Sequence, residues 1–279
     1  MSWAVTGASG FLGRYVCSEL IRRKIDFQPF HFQNPLSIAG LAHPSKPIDL
    51  AKSTDLLKTQ IGTPKALLHL AWSGLPNYHN PNHLIIELEK QLSFLKAVIH
   101  SGVQVLFVAG TCFEYGMQQG ELTEQSPLLA SNPYGQAKVQ LLERLLELQE
   151  TYDFKLVWGR LFYLYGDGQS EKSLWSQFQS AVRQKKSTFD MSGGQQVRDF
   201  LSVEKVARLI VDLTLKDRDL GAVNICSGKP ITVQDLVQSW ALSAGWSGRL
   251  NLGAYSYPDY EPMEFWGGRV KLQSILKIN

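Results

Sequence analysis

Short apolar runs alternate with longer amphipathic stretches from the first residue to about Trp158. The apolar runs predict strands at residues 3–6, 27–32, 66–70, 103–109 and 154–158. Apolar positions at helical spacing predict helices over residues 11–23, 82–100 and 134–151. This order is typical of βα units, so we expect an α/β fold built on a doubly wound parallel sheet.

The pattern becomes less regular after Arg160. Glycine-bearing loops stand at residues 166–168 and 193–194, and helices are predicted over residues 203–215 and 233–244. Thr232, followed by Asp235 and an apolar stretch, indicates the start of the second of these helices. We therefore expect a smaller, substrate-facing lobe in this half.

Three glycines follow the first predicted strand at the spacing of a dinucleotide-binding turn, and an amphipathic helix follows them. The first glycine permits a tight bend, the second lets backbone N–H groups approach a pyrophosphate, and the third lets helix and strand pack closely. The residues expected to hold the cofactor here are Gly7, Ser9, Gly10, Phe11, Leu12 and Gly13. The turn predicts a Rossmann-type dinucleotide-binding domain over residues 1–160 and a substrate-binding lobe over residues 161–279, interleaved as one folding unit.

The end of the second strand should read the adenosine ribose of the cofactor. Residues 30–34, which include His31, offer no carboxylate to repel a 2′-phosphate, and Arg14 lies just past the glycine turn. The sequence thus favours NADP slightly over NAD. The alternative is that Arg14 is an ordinary solvated helix residue.

Tyr134 and Lys138 stand four residues apart at the start of a predicted helix, so both side chains lie on one face. An adjacent ammonium stabilises a phenolate and lowers the pKa of a tyrosine toward neutrality, which suits proton transfer. Thr111 ends a predicted strand at the sheet edge where ligands bind, and its hydroxyl could hydrogen-bond a carbonyl. We predict that Thr111, Tyr134 and Lys138 are catalytic and that Lys138 also holds a cofactor ribose hydroxyl.

With these residues the chain resembles the extended short-chain dehydrogenase/reductase family, which includes nucleotide-sugar epimerases, dehydratases and 4-ketoreductases. Further matches are Asp49-Leu50, His69-Leu70-Ala71, Glu114-Tyr115-Gly116, the segment from Arg160 to Gly166, and Arg198-Asp199-Phe200. The resemblance implies that Asp49 and Leu50 contact the adenine side of the cofactor and that Leu70 and Ala71 lie near the nicotinamide.

The same resemblance implies a sugar site formed by Thr111, Tyr134, Phe162, Tyr163 and Arg198, with Arg198 on the diphosphate. The chain departs from the family pattern where Tyr163 replaces an asparagine and Ser202 replaces a histidine.

Cys112 and Phe113 occupy the positions where the family's 4,6-dehydratases carry acidic residues, so dehydration is disfavoured. We expect reduction of the C4 ketone of a nucleoside-diphosphate 4-keto-6-deoxyhexose, as in deoxysugar biosynthesis. The alternatives are a nucleotide-sugar 4-epimerase with tightly bound NAD and, from another class, a non-catalytic dinucleotide sensor. The segment from Trp72 to Asn80 could add Tyr78 or His79 to the pocket.

Composition narrows the partners. The 279 residues include 28 basic and 25 acidic side chains without basic runs, so no nucleic-acid partner is expected. The chain shows no membrane-spanning run, its first strand leaves no room for a signal peptide, and its three cysteines suit reduced thiols, which together indicate a cytoplasmic protein. His79 and His83 have no further ligands nearby, so no metal is expected.

The helices over residues 82–100 and 134–151 carry more apolar residues than one face needs. Examples in the second helix are Leu141, Leu142, Leu145, Leu146 and Leu148. In the family such helices pair across a two-fold axis, so the resemblance implies a homodimer formed through a four-helix bundle.

Overall fold

A computed structural model describes residues 2–52, 54–257 and 261–278 of the chain. The outer limits of the two expected segments, residues 1 and 279, therefore lie outside the described residues. The strands are β1 (Trp3–Thr6), β2 (Phe27–His31), β3 (Lys46–Pro47), β4 (Ala66–His69), β5 (Val105–Thr111), β6 (Gly120–Leu122), β7 (Lys155–Leu161), β8 (Tyr163–Tyr165), β9 (Thr188–Asp190), β10 (Val197–Ser202), β11 (Gly221–Ile225), β12 (Pro230–Thr232), β13 (Arg249–Asn251) and β14 (Phe265–Gly267).

The α-helices are α1 (Phe11–Arg22), α2 (Thr54–Ile61), α3 (Leu88–His100), α4 (Pro133–Gln149), α5 (Leu174–Arg183), α6 (Val203–Leu215), α7 (Val233–Ser243) and α8 (Val270–Leu276). A π-helical turn, His83–Glu87, leads into α3, and a 3-10 turn, Cys112–Tyr115, follows β5. None of the helices in the described ranges is long and apolar enough to span a bilayer.

Seven parallel strands form the central sheet in the order β11-β7-β5-β4-β1-β2-β3. The chain leaves β1 toward one edge of the sheet and returns to β4 on the other side of β1. This reversal creates the crevice at the carboxyl ends of the strands where open α/β sheets bind ligands. The predicted doubly wound parallel sheet is therefore confirmed.

Two apolar layers cover the two faces of this sheet. One layer joins the sheet to α3 and α4 through residues such as Phe94 and Leu141, and the other joins it to α1 and α6 through Leu20 and Ile210. Because parallel strands are buried on both faces, their continuous apolar runs are what this packing requires.

The second half of the chain contributes to both parts of the molecule. Helix α6 begins and ends where the sequence predicts, but it packs on α1, and β11 pairs with β7 at the edge of the central sheet. The remaining elements form a smaller lobe with its own apolar cluster around Phe178 and Trp240. The lobe includes short strands and a helix, α5, that the sequence pattern does not predict.

Candidate active site

The glycine turn after β1 packs directly on the end of β4. Gly7 has a φ of +70°, and a side chain there would place its Cβ 2.8 Å from the Ala71 backbone nitrogen. A Cβ on Gly13 would collide with the Gly7 carbonyl oxygen, whereas one on Gly10 would have only that oxygen nearby, at 3.2 Å. Gly7 and Gly13 therefore build the turn, and Gly10 leaves it open at the amino terminus of α1.

A cavity of about 660 Å³ opens beside this turn. Most of the predicted cofactor residues line it, namely Gly7, Ser9, Gly10, His31, Asp49, Leu50, Leu70 and Ala71. Phe11, Leu12 and Gly13 belong to the start of α1 just behind the lining. The Nδ1 atom of His31 is buried and has no hydrogen-bond partner within the described part of the chain, so it is available to a ligand in the cavity.

Arg14 is not among the residues that line this cavity. Its Nη2 atom donates a 3.0 Å hydrogen bond to the carbonyl of Gly168, and the neighbouring Tyr15 hydroxyl donates to the carbonyl of Asp167 at 2.9 Å. These bonds tie α1 to the smaller lobe. The contact of Arg14 with the cofactor ribose stays a prediction.

Thr111 and Tyr134 meet at the carboxyl edge of the sheet. Both are buried, with 6% and 7% of their surface exposed. Burial raises the pKa of Tyr134, and Tyr78, Glu114 and Cys112 raise it by smaller amounts. A hydrogen bond between the Thr111 side chain and the Tyr134 hydroxyl lowers the same pKa, but by less than burial raises it. The net shift is upward, so the Tyr134 phenol is protonated at neutral pH.

Lys138 lies beside this pair, with its Nζ atom 5.8 Å from the centre of the Tyr134 ring. Its Nζ atom donates a 2.7 Å hydrogen bond to the carbonyl of Ala109 and sits 3.8 Å from the centre of the Trp72 ring. Burial lowers the pKa of Lys138 to about 7, against the opposing effects of Glu114 and Glu87. Burial outweighs the favourable contacts at the Tyr134 hydroxyl, so the net pKa of this tyrosine is raised and not lowered.

Glu114 holds the end of β5 in place. Its Oε1 atom accepts hydrogen bonds from the Thr111 backbone N–H at 2.8 Å and the Trp158 indole at 2.9 Å. Its Oε2 atom accepts from Arg160 Nε at 2.6 Å. Since Glu114 also closes a capping box with Thr111, it fixes the residue whose hydroxyl is predicted to be catalytic.

An aromatic wall encloses Tyr134. Its ring centre lies 5.7 Å from Trp72, 5.6 Å from Tyr78, 5.4 Å from His83 and 6.4 Å from Phe113. The Tyr134 backbone N–H also donates to the carbonyl of Tyr78 at 3.2 Å. The expectation that the segment after β4 reaches the pocket therefore holds for Tyr78. Neither Trp72 nor His83 was singled out as a neighbour of Tyr134, although the density of aromatic residues and histidines between β4 and α3 was an available signal.

A buried polar chain connects β1 to the segment after β4. Thr6 Oγ1 contacts His69 Nδ1 at 2.8 Å, and His69 Nε2 contacts Gln91 Oε1 at 2.6 Å. Gln91 donates to Glu87 at 2.6 Å, and Glu87 accepts the Ser73 backbone N–H at 2.9 Å. Burial lowers the pKa of His69 to about 3, so its neutral ring donates to Gln91 and accepts from Thr6.

Three of the residues predicted to bind the sugar, Phe162, Tyr163 and Arg198, lie around the Phe265 ring. Phe162 and Tyr163 both pack against Phe265, at ring distances of 6.3 Å and 5.9 Å. The Arg198 guanidinium lies 4.7 Å from the Phe265 ring centre and pairs with Glu261 at 3.0 Å. Glu261, which the sequence analysis did not single out, is negatively charged and so offsets the positive charge of Arg198 that is expected to bind a diphosphate.

A glycine turn beside a cofactor-sized cavity, with a Thr-Tyr pair and a buried lysine at the same sheet edge, defines a dinucleotide-dependent oxidoreductase site. The pattern of the NAD dependent epimerase/dehydratase family matches residues 3–226. The chain belongs to this family of enzymes.

Two curated relatives match most of the chain. The dTDP-6-deoxy-L-talose 4-dehydrogenase (NAD(+)) of Aggregatibacter actinomycetemcomitans is 27% identical over 96% of this chain and 100% of its own length. The GDP-6-deoxy-D-talose 4-dehydrogenase of the same organism is 26% identical over 85% of this chain and 78% of its own.

Among solved structures, MoeE5 in complex with UDP-glucuronic acid and NAD superposes with a TM-score of 0.83. It is 25% identical, and the match covers 100% of this chain and 93% of that one.

Proposed function

We propose that the protein reduces the C4 ketone of a nucleoside-diphosphate 4-keto-6-deoxyhexose with a nicotinamide cofactor. The observation that carries this proposal is the Thr111–Tyr134 pair at the switch-point edge of the sheet. Trp72 lines the dinucleotide cavity and also contacts Tyr134, so cofactor and proton donor are neighbours.

The residues have separate parts in this reaction. The cofactor, when bound, supplies the hydride. Thr111 and Tyr134 hydrogen-bond the ketone oxygen, and Tyr134 gives it the proton. Because the pKa of Tyr134 is raised, the phenol keeps its proton at neutral pH, which suits a proton donor in reduction better than a base in oxidation.

We propose NAD as the preferred cofactor. A relative that matches 96% of this chain is named for NAD(+), and MoeE5 was solved with NAD. The cradle fits a dinucleotide because Gly10 leaves the turn open and because His31, which lines the cavity, has an Nδ1 atom without a hydrogen-bond partner within residues 2–52, 54–257 and 261–278. Arg14, on which the sequence-based preference for NADP rested, is committed to Gly168.

The substrate proposal rests on two supports. The first relative is named for the C4 position of a dTDP-linked 6-deoxyhexose and matches over its whole length. Phe162, Tyr163 and Arg198, which surround the Phe265 ring, offer apolar and cationic groups, as a deoxysugar and a diphosphate require.

A 4-epimerase is the second candidate. A relative from Bacillus subtilis named as an uncharacterized UDP-glucose epimerase is 27% identical over 85% of this chain. An epimerase keeps NAD bound through purification, because it must return the hydride to its own substrate. A dinucleotide sensor is the third candidate, and it predicts binding without Tyr134-dependent turnover.

We also propose a cytoplasmic homodimer. The three cysteines are free and buried, as in a reducing compartment. Leu146 is 46% exposed on α4, and Ile85 and Ile86 are exposed before α3, which supports an interface there. Leu141, Leu142 and Leu145 pack inside the protomer, so the apolar face available to a four-helix bundle is narrower than the sequence suggests. Sedimentation at micromolar concentration tests the dimer, and a monomer contradicts it.

The test of function follows NADH and NADPH absorbance with dTDP-4-keto-6-deoxyglucose. We expect wild-type protein to consume NADH and Tyr134→Phe to lose about 10²- to 10⁴-fold in kcat. The control is Tyr152→Phe, which removes a hydroxyl hydrogen-bonded to His100 at the far end of α4. If wild-type protein consumes neither NADH nor NADPH but retains NAD after purification, the result would favour a 4-epimerase over a reductase. No consumption and no tightly bound NAD would favour the sensor.

A further inference from the structure

The Lys138 ammonium is buried beneath an indole ring. Only 2% of the residue surface is exposed, and the Nζ atom lies 3.8 Å from the centre of the Trp72 ring. Its hydrogen bond to the Ala109 carbonyl satisfies one of three donors. The face of an indole is the strongest cation-binding surface among the aromatic side chains, so Trp72 offsets part of the loss of hydration.

His83 fixes the orientation of this indole. The Trp72 Nε1–H donates to His83 Nδ1 at 3.1 Å, and His83 Nε2–H donates to the Asn77 carbonyl at 2.8 Å. These two bonds define the neutral tautomer of His83. His83 is 1% exposed and begins the π-helical turn, and a Cβ on Gly74 would come within 3.0 Å of its ring, so the loop is closely packed around it.

Trp72 touches both catalytic side chains. Its ring meets Tyr134 edge-on, at 5.7 Å and an interplanar angle of 73°, while its face covers Lys138. It also lines the dinucleotide cavity. One indole therefore sets the relative positions of the proton donor and the ammonium at the wall of the cofactor site.

We propose that Trp72, held by His83, is a positioning residue that keeps the Lys138 ammonium charged and in place beside the wall of the cofactor site through a cation–π contact. The catalytic meaning of this contact rests on the proposed reductase function. The contact itself exists in the protein without substrate or cofactor.

Other charged and titratable groups near Lys138 also affect its pKa. Glu114 on the 3-10 turn and Glu87 on the π-helical turn raise the pKa of the ammonium, and burial lowers it. Glu114 is paired with Arg160 and Glu87 with Lys90. His69 on β4 is neutral, and Tyr134 on the same helix is protonated. A change at Trp72 leaves these groups in place.

The test uses protein labelled with ¹³C at the lysine ε carbon and titrated by NMR, with Lys138→Met to assign the signal. In wild-type protein, the ring current of Trp72 should move the Lys138 signal upfield. Trp72→Leu and His83→Leu should abolish this shift and lower the pKa of Lys138 by about one unit. Trp72→Phe should retain part of both effects. His83→Gln should retain most of both, since an amide can accept from the indole and donate to Asn77.

Trp246→Leu is the matched control, because it removes an indole bonded to the Lys186 carbonyl in the smaller lobe. If Trp72→Leu does not fold, replacement of all seven tryptophans by 5-fluorotryptophan weakens the π face without changing its shape. That replacement should lower the pKa of Lys138 in the same direction. An unshifted wild-type signal, or a pKa that neither Trp72→Leu nor fluorination changes, overturns the proposal.

The titration is independent of turnover. If the signal behaves as expected while wild-type protein consumes no NADH, the positioning role stands and the reductase function fails. If NADH is consumed but Trp72→Leu leaves both the titration and the pH profile of kcat/KM unchanged, the reductase function stands and the positioning role fails.

Discussion

Arg160 Nε donates to Glu114 Oε2 at 2.6 Å, and the two side chains are only 3% and 0% exposed. Glu114 also accepts the backbone N–H of Thr111. The pair therefore connects β7 to Thr111, the residue whose hydroxyl we propose to be catalytic.

Glu114→Gln should lower the free energy of unfolding by about 3 kcal/mol, because it leaves the Arg160 charge buried without its carboxylate. Denaturant unfolding measures this change. Glu147→Gln is the control, since it breaks an exposed pair with Arg144 and should cost less than about 0.5 kcal/mol. Equal losses in the two variants would show that the buried pair adds nothing beyond a surface pair.

His69 should make the protein less stable as the pH falls below neutrality. Its folded pKa is about 3, below the ordinary value of 6.5, so the unfolded chain binds the extra proton between these values. Stability is fully present above pH 6.5 and falls by up to about 1.4 kcal/mol per pH unit toward pH 3.

Unfolding measured between pH 6 and pH 5 separates His69 from Glu19, whose pKa is lowered to about 2, and from Lys138, whose pKa is lowered to about 7 and which is therefore largely protonated in both states below pH 6. His69→Gln should flatten the slope in this window. A variant with the wild-type slope would assign the pH dependence to another group.

Gly10→Ala and Gly13→Ala should separate cofactor binding from folding. A methyl group on Gly10 meets only the Gly7 carbonyl oxygen, so the melting temperature should change little while the Kd for NADH rises at least tenfold. A methyl group on Gly13 collides with the turn itself, so that variant should unfold or melt far lower. If the Gly10→Ala variant binds NADH as tightly as the wild-type protein, the pyrophosphate does not bind against the turn at Gly10.

Arg14→Ala should leave the ratio of the Kd values for NADH and NADPH unchanged. The Arg14 guanidinium is bonded to Gly168, so its removal affects the contact between α1 and the smaller lobe. Titration of each cofactor by protein fluorescence measures the ratio. Weaker NADPH binding with unchanged NADH binding would instead show that Arg14 contacts the 2′-phosphate on the cofactor ribose.

Glu261→Gln should strengthen binding of the nucleotide sugar. Removing the carboxylate frees the Arg198 charge for a diphosphate, so KM should fall several-fold with little change in kcat. Arg198→Gln is the opposing variant and should raise KM. A higher KM in Glu261→Gln would mean that Glu261 itself holds the substrate or the arginine in place.

The sequence predicted the parts of the site that depend on local spacing. The glycine turn and the Tyr134–Lys138 pair are set by neighbours within a few positions, and each lies where the spacing indicated. The pairing of Arg198 with Glu261 and the contact of His69 with Thr6 join residues 63 positions apart in each case. Such contacts depend on how loops and strands meet in three dimensions, and no local periodicity encodes them.

The direction of Lys138 shows the same limit. The i,i+4 spacing places it on the face of Tyr134, but the rotamer is decided by Trp72 and the Ala109 carbonyl, which belong to other elements. The sequence pattern predicts the central strands of the sheet as far as β7 but does not predict β11. This strand pairs with β7 only after the chain has passed through part of the smaller lobe.

That late pairing has a consequence for synthesis on the ribosome. Until residue 225 has emerged, β7 has an unpaired edge, and the apolar side of α1 lacks the helix that covers it. A nascent chain stopped after β7 therefore exposes both an unpaired strand edge and an apolar surface. Chaperones recognise these two features, and both promote self-association.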